Sequence, residues 1–151
     1  MYLVYTNIIS EARIKSQANP GVRAFFKQAI TDKVRLFISV VTVGELRRGV
    51  EAIRHRGDVR QARQLDKWLV ALIAHYQDDI LDINPDIAQL WGRLRLPNPE
   101  NALEKQIAAT ALIYDLTVVT RNHKDFAHTG AAVLNLFYGL TARRTKPRSP
   151  R

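Results

Sequence analysis

Asn101-Ala-Leu-Glu-Lys-Gln-Ile-Ala-Ala-Thr-Ala-Leu-Ile-Tyr-Asp-Leu-Thr-Val-Val-Thr-Arg-Asn-His-Lys-Asp-Phe126 is the stretch that decides the fold. Its first half reads as a helix, with Ile107, Ala108, Ala111 and Leu112 recurring at helical spacing to form a broad apolar face. Tyr114-Asp115 makes a tight turn, and the β-branched run at 116–119 has the composition of a buried parallel strand. A polar loop follows. Glu104 stands four residues before Ala108 and seven before Ala111, on the side of that small apolar stripe. A carboxylate there is costly unless it is paired, hydrogen-bonded or bound to a metal. Asn122 and Asp125 come directly after a strand, where open α/β sheets place their sites. Helix, strand and acids together predict a carboxylate cluster at one edge of a sheet.

Working outward, residues 2–5 predict a first strand, which Thr6-Asn7 breaks to cap a short helix beginning near Ile8. Asn19-Pro-Gly opens a second helix with Val22, Phe25, Phe26 and Ile30 turned inward. Residues 36–41 predict a second buried strand, and Thr42 caps a third helix with the stripe Val43, Leu46, Val50 and Ile53. After a loop at 54–58, a fourth helix buries Leu65, Trp68, Leu69 and Leu72. A strand at 80–83, a fifth helix from Pro85-Asp86 through Ile87, Leu90 and Trp91, a loop at 96–100 and a last strand at 133–137 complete the chain. Strands separated by helices predict a parallel α/β sheet. No repeat and no second domain are evident, and 151 residues suit one domain with a substantial core.

The composition narrows the chemistry. There is no cysteine, which excludes disulfides, thiolate metal sites and cysteine nucleophiles and fits a reducing compartment. The N-terminus enters a strand at once, without a signal-peptide pattern, and no apolar run approaches the length of a membrane span. A net charge of +9 favours a polyanionic partner. Arg143, Arg144, Lys146, Arg148 and Arg151 supply five of those charges from residues 142–151, leaving the body at +4. Such a basic, proline-containing tail is expected to be disordered.

Each acid also has a structural explanation. Thr42-Val-Gly-Glu45 fits a capping box, and Asn101 to Glu104 and Asn122 to Asp125 fit the same template. The joint pattern points further, because the acids recur in the first turn after a strand or loop, at one sheet edge. Oxygen-only clusters of this kind suit Mg²⁺ or Mn²⁺. His55, His75, His123 and His128 show no ligand spacing, with His123 alone near the cluster. Neither a phosphate-binding Gly-rich loop nor a Gly-x-Ser-x-Gly elbow occurs. Arg47, Arg48 and Arg121 flank the acids, either as solvated helix ends or as phosphate contacts.

At these residues the chain resembles the PIN-domain ribonucleases, in particular the VapC and FitB-like toxins of bacterial type II toxin–antitoxin pairs. The matching stretches are Tyr2-Leu-Val-Tyr-Thr-Asn-Ile-Ile-Ser-Glu11, Ile38-Ser-Val-Val-Thr-Val-Gly-Glu-Leu-Arg-Arg-Gly49, Ile107-Ala-Ala-Thr-Ala-Leu112 and Val118-Val-Thr-Arg-Asn-His-Lys-Asp-Phe126, in the family's order and spacing. The resemblance implies a PIN-like three-layer α/β fold over 1–141, with a central, mostly parallel sheet flanked by helices. It also implies a metal-dependent endoribonuclease site using Mg²⁺ or Mn²⁺. By motif, Glu45, Glu104 and Asp125 become the catalytic, metal-binding acids, with Tyr5, Thr6, Asn7, Thr120 and Asn122 lining the site. Arg47, Arg48 and Arg121 become the candidates for RNA phosphates. Two departures stand out. Glu104 replaces the family's usual aspartate, and Tyr5 replaces the first aspartate altogether. A phenol with an ordinary pKa of about 10 does not substitute for an anionic ligand, so impaired activity is expected.

The expected partners are a cognate antitoxin, whose tail would lie in a groove built largely by the helices of residues 42–72, an RNA substrate and a second copy in a homodimer. The expected location is the cytoplasm, with no membrane association. The alternative to a nuclease is a PIN-fold module that binds antitoxin and RNA without cutting. A purely structural acid-capped domain accounts for each acid except Glu104 on its inner face.

Overall fold

The structure is a computed structural model describing residues 1–137. The end of the 1–141 domain and the basic tail of 142–151 lie outside those residues. Strands β1 (Tyr2–Val4), β2 (Leu36–Ser39), β3 (Ile80–Leu81), β4 (Thr117–Val119) and β5 (Val133–Leu134) form one parallel sheet in the order β3-β2-β1-β4-β5. The first strand is thus central: Tyr2 pairs with Leu36 on one side and Thr117 on the other. Between the strands run α1 (Thr6–Ala12), α2 (Pro20–Thr31), α3 (Val40–His55), α4 (Val59–His75), α5 (Pro85–Leu94) and α6 (Ala102–Ile113). The predicted order of elements is the observed one.

Successive side chains of a strand point to opposite faces, and here each face has its own core. Val4, Ile38 and Val119 pack with Ile8, Val22, Leu46, Val50 and Leu69 from the first four helices. Leu3, Phe37 and Val118 pack on the other face with Ile107, Ala108 and Ala111 of α6. Three layers result. Helix α6 is buried nearly all round, from Ile107 to Ala111, between the sheet and α5, where Trp91 Nε1 donates to Ala102 O at 2.9 Å. The small side chains of Ala108, Ala109 and Ala111 permit that close sandwich.

Several local expectations need correction. The second strand ends at Ser39, not at residue 41, because the Ser39 hydroxyl accepts from Val41 N at 3.1 Å and caps α3. Serine is among the best N-caps, and that cap overrides the strand preference of Val40 and Val41. Thr42 therefore lies inside the helix, fully buried, with its hydroxyl unpartnered among the described residues. In α2 the inward position belongs to Ala29, and Ile30 is 78% exposed. Leu112 likewise turns outward at the end of α6. The last strand spans only Val133–Leu134, but the segment after it stays close-packed. A Cβ on Gly21 would come within 2.1 Å of Leu136 O.

Candidate active site

The C-terminal ends of β1 and β4 lie side by side and are stitched together by short polar side chains. Tyr5 N donates to Val119 O at 3.0 Å, extending the pairing one residue beyond the strands. Asn7 then bridges the gap: its Nδ2 donates to Thr120 Oγ1 at 3.2 Å, and its Oδ1 accepts from Arg121 N at 3.2 Å. Thr120 Oγ1 also accepts from Asn122 N at 3.1 Å. Thr-Asn after β1 and Thr-Arg-Asn after β4 thus form a clasp that fixes where both chains leave the sheet. Thr6, beside it, has a buried hydroxyl with no partner among the described residues.

Tyr5 occupies the centre of this edge. It is 6% exposed, its ring meets Phe126 edge-on at 5.7 Å, and its hydroxyl donates to Glu104 Oε1 at 2.9 Å. Burial pushes the phenol well above its ordinary pKa. The hydrogen bond to Glu104 adds to this, as do the negative charges of Glu104, Glu45 and Asp125. The three acids singled out in the sequence therefore all bear on one hydroxyl, which stays neutral at physiological pH.

None of the predicted capping boxes forms. Glu45 lies in the second turn of α3, capped by Ser39 rather than Thr42, and its Oε2 is 3.8 Å from Arg48. Asn101 starts α6 in the left-handed region (φ 56°) without a side-chain capping bond, leaving Glu104 to Tyr5. Asp125 lies in a 3₁₀ turn, His123–Phe126, whose Asn122 cap also lacks a side-chain bond. The structural explanation of the acids loses its geometry, while Glu104 is bonded to Tyr5 and the charges of Glu45 and Asp125 also raise its phenol.

The arginines divide. Arg47 is drawn to Asp66 of α4 at 2.8 Å and to Glu51, so it ties α3 to α4. Arg48 extends into solvent beside Glu45. Arg121 lies over the Phe137 ring at 4.9 Å and, with Asn122, Lys124, Asp125 and Asn135, lines an open cleft of about 470 Å³. Asn135, absent from the sequence reading, donates to Arg121 O at 3.1 Å. Its only sequence signal was that of a polar residue within the strand predicted at 133–137. Lys105 also went unremarked. It is buried in α6, and its spacing to Ala108 and Ala109 was the available clue.

Carboxylate oxygens are the donors that Mg²⁺ or Mn²⁺ would require. Among the described residues, however, no three His, Cys, Asp or Glu side chains are grouped to hold a metal ion. Glu104 instead accepts from the neutral Tyr5 phenol at 2.9 Å. In this arrangement the residues do not fit a divalent cation.

Fold and site together define a class: a three-layer parallel α/β domain whose central strands end in a polar clasp, with Glu104 bonded to Tyr5 beside it. The chain belongs to the PIN domain family, whose pattern matches residues 2–132. It is 32% identical to Toxin FitB of Neisseria gonorrhoeae over 142 residues, 89% of this chain and 97% of FitB. The crystal structure of FitAcB from the same organism superposes with a TM-score of 0.78 at 28% identity, covering 91% of this chain and 99% of that one. A toxin–antitoxin complex from Klebsiella pneumoniae matches with a TM-score of 0.53 at 25% identity, over 85% and 92% of the respective chains. No helix among the described residues is long and apolar enough to cross a membrane.

Proposed function

We propose that this chain is the toxin of a type II toxin–antitoxin pair, directed at RNA, with its endoribonuclease chemistry suppressed by Tyr5. Similarity to Toxin FitB over nearly its whole length supports the toxin role, and the likeness to the Klebsiella complex supports an antitoxin partner. Homodimerisation and action in the cytoplasm belong to the same reading. The observation that carries the suppression is the 2.9 Å hydrogen bond from Tyr5 to Glu104. It gives the carboxylate a neutral donor where a hard cation would need free anionic oxygens. The edge then retains what binding needs, an ordered clasp with Arg48 and Arg121 beside it, and loses what cleavage needs.

A second reading keeps the chain as a Mg²⁺- or Mn²⁺-dependent endoribonuclease that tolerates Tyr5. It is favoured by the negative charge that Glu45, Glu104 and Asp125 all exert on the Tyr5 hydroxyl. Incubating a mixed RNA pool with the purified chain, with Mn²⁺ or Mg²⁺ titrated against EDTA, separates the two. The expected result is no metal-dependent cutting by the natural sequence and its appearance in Tyr5→Asp. Metal-dependent cutting by the natural sequence that disappears in Glu45→Ala would establish the second reading instead.

A further inference from the structure

On the far side of Asp125 from the Arg121 cleft lies a second cleft, of about 270 Å³, between the loop after α5 and the 3₁₀ turn. Its lining brings together apolar Leu94, Leu96 and Pro97, the cation Lys105, and the carboxylates Glu100 and Asp125. Lys105 is the unusual member. It is only 7% exposed, and its ammonium donates to the Asn98 carbonyl. Among the described residues it has neither a second hydrogen-bond partner nor a carboxylate within ion-pair reach. An ammonium has three donors, and a buried charge that meets one neutral oxygen is poorly compensated. The cleft therefore holds a cationic donor lacking acceptors, two carboxylates able to accept, and a few apolar side chains among polar ones that include Lys124 and His128.

We infer that this cleft binds a guanine base. Leu94, Leu96 and Pro97 offer apolar contact to the face of a base splayed out of a single strand, which proteins read on its Watson–Crick and Hoogsteen edges. Lysine pairs with the adjacent O6 and N7 acceptors of guanine. On the next edge guanine presents two neighbouring donors, N1–H and N2–H, which a carboxylate accepts together. Adenine offers a carboxylate the N1 lone pair, and uracil and cytosine lack the N7 acceptor. Asp125 and Lys124 line both clefts, so a base held here would flank the phosphate backbone passing the Tyr5 edge. That last relation rests on the RNA-directed reading given above. The guanine pocket itself does not.

The test titrates GMP and AMP separately into the full-length chain, followed by NMR shifts of the residues lining the cleft. GMP is expected to act at roughly tenfold lower concentration than AMP, the scale of one good base-edge pairing. Lys105→Met should abolish that preference. Ala127→Phe, which fills the cleft from its exposed rim and keeps the buried ammonium, should abolish binding of both nucleotides, and it serves if Lys105→Met does not fold. An equal response to GMP and AMP, or a preference that survives in either folded variant, overturns the inference. A parallel arm measures anisotropy of labelled single-stranded oligoadenylate with and without one guanine. RNA bound without guanine preference removes the pocket alone. GMP preference with neither RNA bound keeps the pocket and removes the RNA-directed reading.

Discussion

Tyr5 is the residue at the centre of the candidate site, with its hydroxyl on Glu104. Its phenol is buried, bonded to Glu104 and surrounded by negative charge, so its proton is held more tightly in the folded than in the unfolded chain. The sign follows from linkage: a raised folded-state pKa contributes stability that is complete below the unfolded value near 10 and is lost as pH rises above it. Tyr5→Phe removes the donor to a carboxylate and should cost about 1–2 kcal/mol at pH 7. Urea unfolding of both proteins should show this gap steady from pH 6 to 9 and narrowing above about pH 10. A gap independent of pH up to 11 would mean that the phenol titrates alike in both states.

At the scale of the element, the start of α3 shows how a single hydroxyl sets a boundary. Ser39→Ala should cost about 1 kcal/mol through loss of the cap. Thr42→Val, which removes a buried hydroxyl with no partner, should be neutral or stabilising. Denaturation midpoints of the two variants would check this, and the opposite ranking would restore Thr42 as the cap. The element types, their order and the parallel sheet were legible from the periodicity of the helices and the β-branched runs. The boundary at Ser39 was not, because Val40 and Val41 carry strand preference and two hydroxyl residues competed for the cap. Glu104 was legible as an inward residue, which its bond to Tyr5 agrees with. What escaped was Tyr5's bond to Glu104, a contact across 99 residues that no local pattern encodes. Lys105 escaped because one lysine beside an acid reads as a solvated face until its burial is known.

For the whole molecule, two cores separated by one sheet make the central strand sensitive on both faces, since Leu3 and Val4 are each fully buried in different clusters. The end of the described chain is held just as closely. Gly21 meets Leu136 O at a distance that leaves no room for a methyl group. Gly21→Ala must therefore displace either α2 or the segment after β5, at about 1–3 kcal/mol. A thermal midpoint unchanged in Gly21→Ala would show that this segment is free to move away. Because that segment leads from Asn135, which bonds Arg121 O, the strain should also register as shifted NMR signals at the site edge.

The phenol bonded to Glu104 also has a consequence in the language of heredity. Either tyrosine codon becomes an aspartate codon when its first base changes from T to G. The proposed difference between a domain quieted by Tyr5 and one that cuts with aspartate there is thus a single point mutation deep. On the reading proposed above, a lineage carrying this gene would keep an activity one copying error away, and would benefit from retaining the antitoxin. Revertants at codon 5 should be recoverable wherever the antitoxin is supplied and absent wherever it is withdrawn.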